Sequence, residues 1–295
     1  MSSATSARLR LALAAILFST GGAAIKAAAF TGWQIAGFRS GVAAVVLWLL
    51  IPAARRGWTW RVFLVGAAYA ATLVLFVLAN RLTTSANTIF LQSTAPLYVL
   101  FLSPWLLHEA VRPADIGLMV VVGLGLALFF VGTEPPLVTA PDPARGNLLA
   151  AGSGVTWALT VCGLRWMGAR ESGGGSGMAA VVVGNLLAFG AALPHALPLG
   201  VHRVADWGVI LYLGAFQIGL AYVLVTSALR QLSALEASVI LLIEPALNPL
   251  WAWAVHGEMP GRFALAGGGL ILGATTLRTV LDARGRPAAA PAGSA

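Results

Sequence analysis

The sequence predicts an all-α polytopic membrane protein, with ten transmembrane helices arranged as two inverted five-helix repeats around a central cavity. Three observations carry this expectation. The 295-residue chain is 59% hydrophobic and 9% charged, against roughly 25% charged in a soluble domain. Its uncharged runs are long enough to cross about 30 Å of hydrocarbon. A proline-interrupted segment also occurs twice: RLTTSANTIFLQSTAPLYVLFLSPWLLHEA at 81–110 aligns with RQLSALEASVILLIEPALNPLWAWAVHGEM at 230–259. One offset, 149, carries Arg81 onto Arg230, Pro96 onto Pro245 and Glu109 onto Glu258.

The first expected span, 8–29, opens with Arg8 and Arg10 ahead of an apolar run, as a signal peptide does. The repeat argues for its retention, because LFSTGGAAIK at 17–26 answers to TWALTVCGLR at 156–165 and carries Lys26 onto Arg165. Spans two and three follow at 32–54 and 59–80. The fourth, 83–107, carries Asn87, Gln92, Pro96 and Tyr98. The fifth and tenth, 112–132 and 261–281, are glycine-rich surfaces that let helices approach closely, within a protomer or between protomers. Glu109 and Glu258 precede them, where a carboxylate meets the positive end of a helix. Spans six to eight fall at 146–168, 177–198 and 207–229, and the ninth, 234–256, holds Glu244, Pro245, Asn248 and Pro249. The repeats are therefore expected over 1–132 and 146–281, joined by the proline-rich loop 133–145 and followed by a disordered cytoplasmic tail, 282–295.

With the N-terminus inside, twelve arginines near span ends fall on the cytoplasmic side and four, Arg81, Arg145, Arg203 and Arg262, on the other. That bias places both termini inside. Five crossings per half then invert the second repeat, the architecture in which two halves rock about a site near the bilayer midplane. The net charge of +8 belongs to this asymmetry, so the lipid bilayer is the expected partner and nucleic acid is not.

Proline removes a backbone hydrogen bond and clashes with the preceding turn. Paired interruptions at matching depth in two apolar segments point to the substrate site of a secondary transporter, with Pro96 and Pro245 as candidate gating hinges. Glu244 and Asn248, four apart, share a helical face. Glu244 lies about 15 Å into its span, where an ionisable side chain usually faces a cavity. There it would exchange a proton, pair with a substrate ammonium, or bond a neighbouring helix. Trp157 lies about 16 Å into the sixth span, on a face with Ser153 and Thr160, while Trp33, Trp58, Trp60, Trp105 and Trp207 mark span ends as an aromatic belt does. Tyr69, Phe76 and Asn80 form a stripe on span three, and Tyr212, Phe216, Gln217 and Tyr222 cluster on span eight. Single aromatics at helical spacing also serve packing. Taken with Gln92 and Asn248, they describe a mainly apolar small-molecule cavity with a few polar orienting groups. Arg39 and Lys26 are candidates either to hold a carboxylate or to snorkel to the interface.

No stretch between spans is long enough for a soluble catalytic domain. The single cysteine, Cys162, excludes an internal disulfide. The four histidines sit at span ends, and no HExxH or P-loop motif is present, so neither metal, cofactor nor ATP drive is expected. An ion channel would need a ring of charge or carbonyls, and an intramembrane enzyme a nucleophile and base within reach.

The Lys ending span one, the Arg within span two, the prolines of spans four and nine and the Glu before spans five and ten together resemble the drug/metabolite transporter superfamily, EamA type. The likeness extends over about residues 8–281. Within that group the length and the aromatic midplane positions are similar to YddG-type bacterial exporters of aromatic amino acids. The resemblance implies an inner-membrane exporter of amino acids or related metabolites. Its rivals are export of drugs, amines or nucleotide-linked metabolites. Ala95 stands where the second repeat has Glu244, so the halves are not chemically equivalent.

Overall fold

A computed structural model describes residues 3–106, 113–131, 135–168, 175–229, 231–232, 237 and 240–284. His108, Glu109, Arg112, Arg170, Arg230 and the tail beyond 284 lie outside the described residues. Those described form an all-helical bundle with no strand. The helices are α1 Ser3–Ser19, α2 Gly21–Ala27, α3 Gly32–Leu50, α4 Trp60–Leu82, α5 Ser85–Gln92, α6 Ala95–Leu106, α7 Pro113–Val131, α8 Pro143–Gly168, α9 Gly175–Ala196, α10 Val204–Leu211, α11 Ala221–Leu229, α12 Ile243–His256 and α13 Arg262–Arg284. A π-helical stretch, Tyr212–Leu220, makes α10 and α11 continuous. Seven segments are long and apolar enough to cross a membrane: Thr5–Ala27, Gly32–Leu50, Trp60–Leu82, Ser85–Leu106, Pro143–Gly168, Ser176–Ala196 and Val204–Leu229. Helices α7, α12 and α13 occupy the places expected of spans five, nine and ten.

Local chemistry sets many of the ends. Thr31 caps α3 by accepting from the Gln34 backbone, while the Gln34 side chain accepts from the Thr31 backbone, satisfying two otherwise orphaned donors. Thr84 caps α5 through the Asn87 backbone. Proline opens α7 and α8, where its missing N–H costs nothing. Gly257, at φ 67°, ends α12: its N–H donates to the Trp253 carbonyl and that of Glu258 to Ala252. This left-handed cap turns the chain so that Glu258 points back into the bundle.

The bundle encloses its polar side chains and turns large apolar ones outward. Asn80, Asn147 and Asn248 are fully enclosed, while Phe101, Trp105, Leu124 and Leu148 face outward, as a hydrocarbon solvent requires. The packing repeats with a shift of five spans. Helix α4 lies on α8 and α9, and α1 and α3 lie correspondingly on α11 and the π-helical stretch; α5 and α6 lie on α8, as α12 lies on α1 and α2. Two further pairs, α3 with α9 and α7 with α13, map onto themselves. Several of these contacts are backbone against backbone. A Cβ on Gly184 would lie 2.8 Å from the Gly66 carbonyl, one on Gly214 2.6 Å from the Arg39 carbonyl, and one on Gly267 2.6 Å from the Gly125 carbonyl.

Candidate functional site

Four aromatic rings from four spans meet inside the bundle. The α4 residue Tyr69 is at the centre, in a tilted contact with Trp157 of α8 at 6.3 Å and an edge contact with Tyr222 of α11 at 6.0 Å. Tyr222 in turn meets Phe18 of α1 edge-on at 5.5 Å. Tyr69 is buried, whereas Phe18, Trp157 and Tyr222 are half-buried. The Tyr69 hydroxyl faces Tyr222 and Asn185 of α9. Two charged groups lie within electrostatic range of the pair of tyrosines: Arg39 of α3 acts on Tyr69, and Glu244 of α12 on Tyr222. This combination of broad apolar faces with few polar groups suits a small amphipathic molecule.

The expected site residues divide into groups. Tyr69, Trp157, Tyr222 and Glu244 belong to the aromatic cluster. Gln92 borders it from α5, donating to Ser153 Oγ at 2.6 Å one helical turn before Trp157. Gln217 is buried and donates to the Phe18 carbonyl at 3.4 Å. Phe76 packs in the apolar core with Ile89 and Phe90, and Tyr98 lies against Gly154. Phe216 is 51% exposed on the outside of the bundle, where it stacks on Tyr212 at 6.1 Å. Its neighbour Gln217 faces inward, so the residues expected to cluster on span eight divide between the two faces of the π-helical stretch.

Asn80, Asn87 and Asn248 gather nearer the end of the bundle that carries Lys26. Asn80 accepts from Ser85 at 2.9 Å. Asn87 donates to Thr83 and to Asn147, each at 3.2 Å, and Asn147 donates to the Phe129 carbonyl. Asn248 makes no side-chain bond and lies against Gly22 and Ser85. The network closes on a buried ion pair. Lys26 Nζ is 3.0 Å from Glu258 Oε1, with the two side chains 3% and 1% exposed. Lys26 also donates to the Thr83 carbonyl at 2.9 Å and to the Thr139 carbonyl, and Glu258 accepts from the Ser85 backbone and the Thr139 hydroxyl, both at 2.8 Å. The pair ties α2 of the first half to the α12–α13 turn of the second. Lys26 therefore neither snorkels nor lies free for a ligand.

The two prolines sit at helix breaks. Helix α5 stops at Gln92, Ser93 and Thr94 form a turn, and Pro96 occupies the first turn of α6. Leu242 interrupts the ninth segment and Pro245 occupies the first turn of α12. There a missing N–H leaves no carbonyl unpaired within the helix, so the fourth segment is two half-helices, α5 and α6, and α12 begins at a break just before Pro245.

Phe18 and Asn185 were not singled out from the sequence. The repeat itself locates Phe18, since the alignment of 17–26 with 156–165 sets it opposite Trp157. Asn185 is a lone amide in the apolar run VVVGNLLAFG, the usual mark of a polar contact inside a membrane bundle.

Residues 6–131 and 144–280 each match the model of the EamA-like transporter family. No curated protein matches the chain. Sixteen chains of solved structures match it. One, described as the crystal structure of a protein, has a TM-score of 0.60 at 21% identity, over 95% of this chain and 98% of that one; at such identity the likeness concerns the fold. With both halves matched by one family model, and with a helical bundle that encloses its polar groups and turns its apolar face outward, the protein belongs to the EamA-like transporter family and is a multi-pass membrane transporter.

Proposed function

We propose that the protein exports amino acids, aromatic and other neutral ones, across the bacterial inner membrane by alternating access. The observation that carries this reading is the cluster of Phe18, Tyr69, Trp157 and Tyr222, two rings from each half, with Glu244 in electrostatic range of Tyr222. Trp157 stacks the substrate's side chain, and Glu244 pairs with its ammonium or exchanges a proton during the cycle. Ten spans in two inverted repeats, 1–132 and 146–281, with 133–145 between them, are the architecture that goes with this mechanism. It is supported by a packing pattern that maps onto itself under a shift of five spans. Both termini are cytoplasmic in this reading, and the Lys26–Glu258 pair closes the periplasmic side. Pro96, at the joint of α5 and α6, and Pro245, at the break that opens α12, are the hinges of gating. The aromatic rings also support YddG-type selectivity over drugs or nucleotide-linked metabolites.

Counterflow in proteoliposomes tests the reading. Labelled phenylalanine should accumulate against preloaded phenylalanine, and unlabelled tryptophan, tyrosine and leucine should compete. Competition by hydrophobic amines with none by amino acids would replace the reading with drug or amine export.

A further inference from the structure

Among the described residues Arg39 is the largest enclosed side chain. It lies about 10 Å into its helix and is 2% exposed, so it does not reach the interface. A guanidinium carries five donors in a rigid fork and keeps its charge under all ordinary conditions. Here Nη2 donates to the Leu73 carbonyl at 3.2 Å and Nε has no partner. Three other buried charges are compensated: Lys26 by Glu258, Asp115 by Arg278 and Asp206 by Arg203. Among the described residues no carboxylate pairs with Arg39. A buried cation without a counter-ion is among the most costly arrangements a protein interior can hold, and in membrane bundles such residues usually mark a substrate pathway.

The fork is held against α4, on the Leu73 carbonyl, one helical turn along from Tyr69. The π-helical stretch comes so close that a Cβ on Gly214 would sit 2.6 Å from the Arg39 carbonyl, which fixes the backbone beneath the side chain. The Tyr69 ring in turn contacts Trp157 and Tyr222. Asn185, which the Tyr69 hydroxyl faces, keeps its Oδ1 buried without a partner. Polar capacity is thus left unused around one tyrosine hydroxyl, at the point where the rings would hold an apolar side chain.

We propose that Arg39, held on α4 one helical turn from Tyr69, is the subsite that binds the carboxylate of the transported molecule. The proposal rests on the amino-acid reading for the identity of the substrate. It explains why a cation is present where a neutral side chain would suffice to join α3 to α4 through the Leu73 carbonyl. It also gives the site its sign: anions at the Arg39 side of the tyrosine pair, cations at the Glu244 side.

Binding of phenylalanine, phenylpropionate and phenethylamine to the purified protein in lipid nanodiscs tests the assignment, because the three share a ring and differ in their charged groups. Arg39→Gln should weaken phenylalanine and phenylpropionate about 10- to 100-fold, the span of a charge-assisted hydrogen bond, and leave phenethylamine within about 3-fold. Arg39→Lys keeps the charge without the fork. It should fall between wild type and Arg39→Gln for the two carboxylates, and it decides the matter alone if Arg39→Gln does not fold. Equal weakening of all three ligands, unchanged carboxylate binding, or a wild-type protein that binds neither carboxylate overturns the proposal. Arg39-dependent binding of phenylpropionate without counterflow of phenylalanine would remove the amino-acid reading and leave the carboxylate subsite standing.

Discussion

Glu258→Gln tests the Lys26–Glu258 closure most directly. The substitution preserves size, but an amide nitrogen now replaces one oxygen that received Lys26 and Thr139 on one side or Ser85 on the other. Lys26 is left as an uncompensated buried charge. Breaking one partner of a buried pair costs about 3–5 kcal/mol. That cost falls on the closed arrangement, since in an open one both groups meet water. At 1.4 kcal/mol per decade, the lower figure shifts the closed-to-open ratio about 100-fold. A ratio near 100 would fall to about 1. The readout is labelling of a cysteine at Ser19, which is buried about 10 Å below Lys26 along the first span, by an impermeant maleimide in a Cys162→Ser background. Glu258→Gln should raise the rate toward that 100-fold limit. Lys26→Met with Glu258→Met should slow it again, because an apolar pair replaces a buried ion pair at little or no cost. Labelling within about 3-fold of wild type in Glu258→Gln, which corresponds to less than about 0.7 kcal/mol, would refute the closure.

Four further outcomes are expected. Trp157→Ala should weaken phenylalanine relative to leucine about 2- to 12-fold, the equivalent of a 0.5–1.5 kcal/mol ring contact; equal loss for both in a binding titration would make Trp157 a packing residue. Glu244→Gln should abolish the pH dependence of counterflow if the carboxyl moves a proton, or chiefly weaken binding if it pairs with the ammonium; a wild-type profile with wild-type affinity would leave it a helix contact. Pro96→Ala supplies an N–H aimed at the Gln92 carbonyl, and Pro245→Ala one aimed at Leu241, so each should stiffen its joint and slow turnover more than it lowers affinity; unchanged rates at normal expression would remove the hinges. An impermeant thiol reagent added to intact cells should label a cysteine placed at Thr139 and spare one at Gly57, and the reverse pattern would invert the topology.

The membrane-spanning character was legible because length and apolarity alone decide it, and the central rings were legible because large aromatics at mid-depth are unusual. Tyr69, Trp157 and Tyr222 do meet in space. What escaped the sequence was phase and partnership. The residues expected to cluster on span eight, Tyr212, Phe216, Gln217 and Tyr222, do not share one face at 3.6 residues per turn, and only the fold shows that Gln217 is buried while Phe216 is exposed. Asn87 has the polarity of a ligand-binding residue, and only the folded chain reveals that its amide is used by Thr83 and Asn147. Lys26 and Glu258 each had a sound local reading, a snorkelling lysine and a helix-start carboxylate. Their pairing depends on most of the chain folding between them, and no local spacing encodes it.

The glycine seams set how this bundle can move. Where side chains interlock, one helix passes another only by lifting its ridges out of the facing grooves, and motion proceeds in steps. The seams of Gly66 with Gly184, Gly214 with the Arg39 carbonyl and Gly125 with Gly267 are close-fitting instead: backbones meet there, and Val183, Val42, Ile271 and Phe129 fill the space a Cβ would need. Helices joined in this way hold their register, so each pair is expected to move as one rigid body. The first two seams are exchanged by the shift of five spans and the third maps onto itself, so both halves are clamped alike. A leucine at Gly66 would prise α4 from α9 and, through Gly184, displace Tyr69 from the aromatic cluster, while leaving the Lys26–Glu258 pair in place.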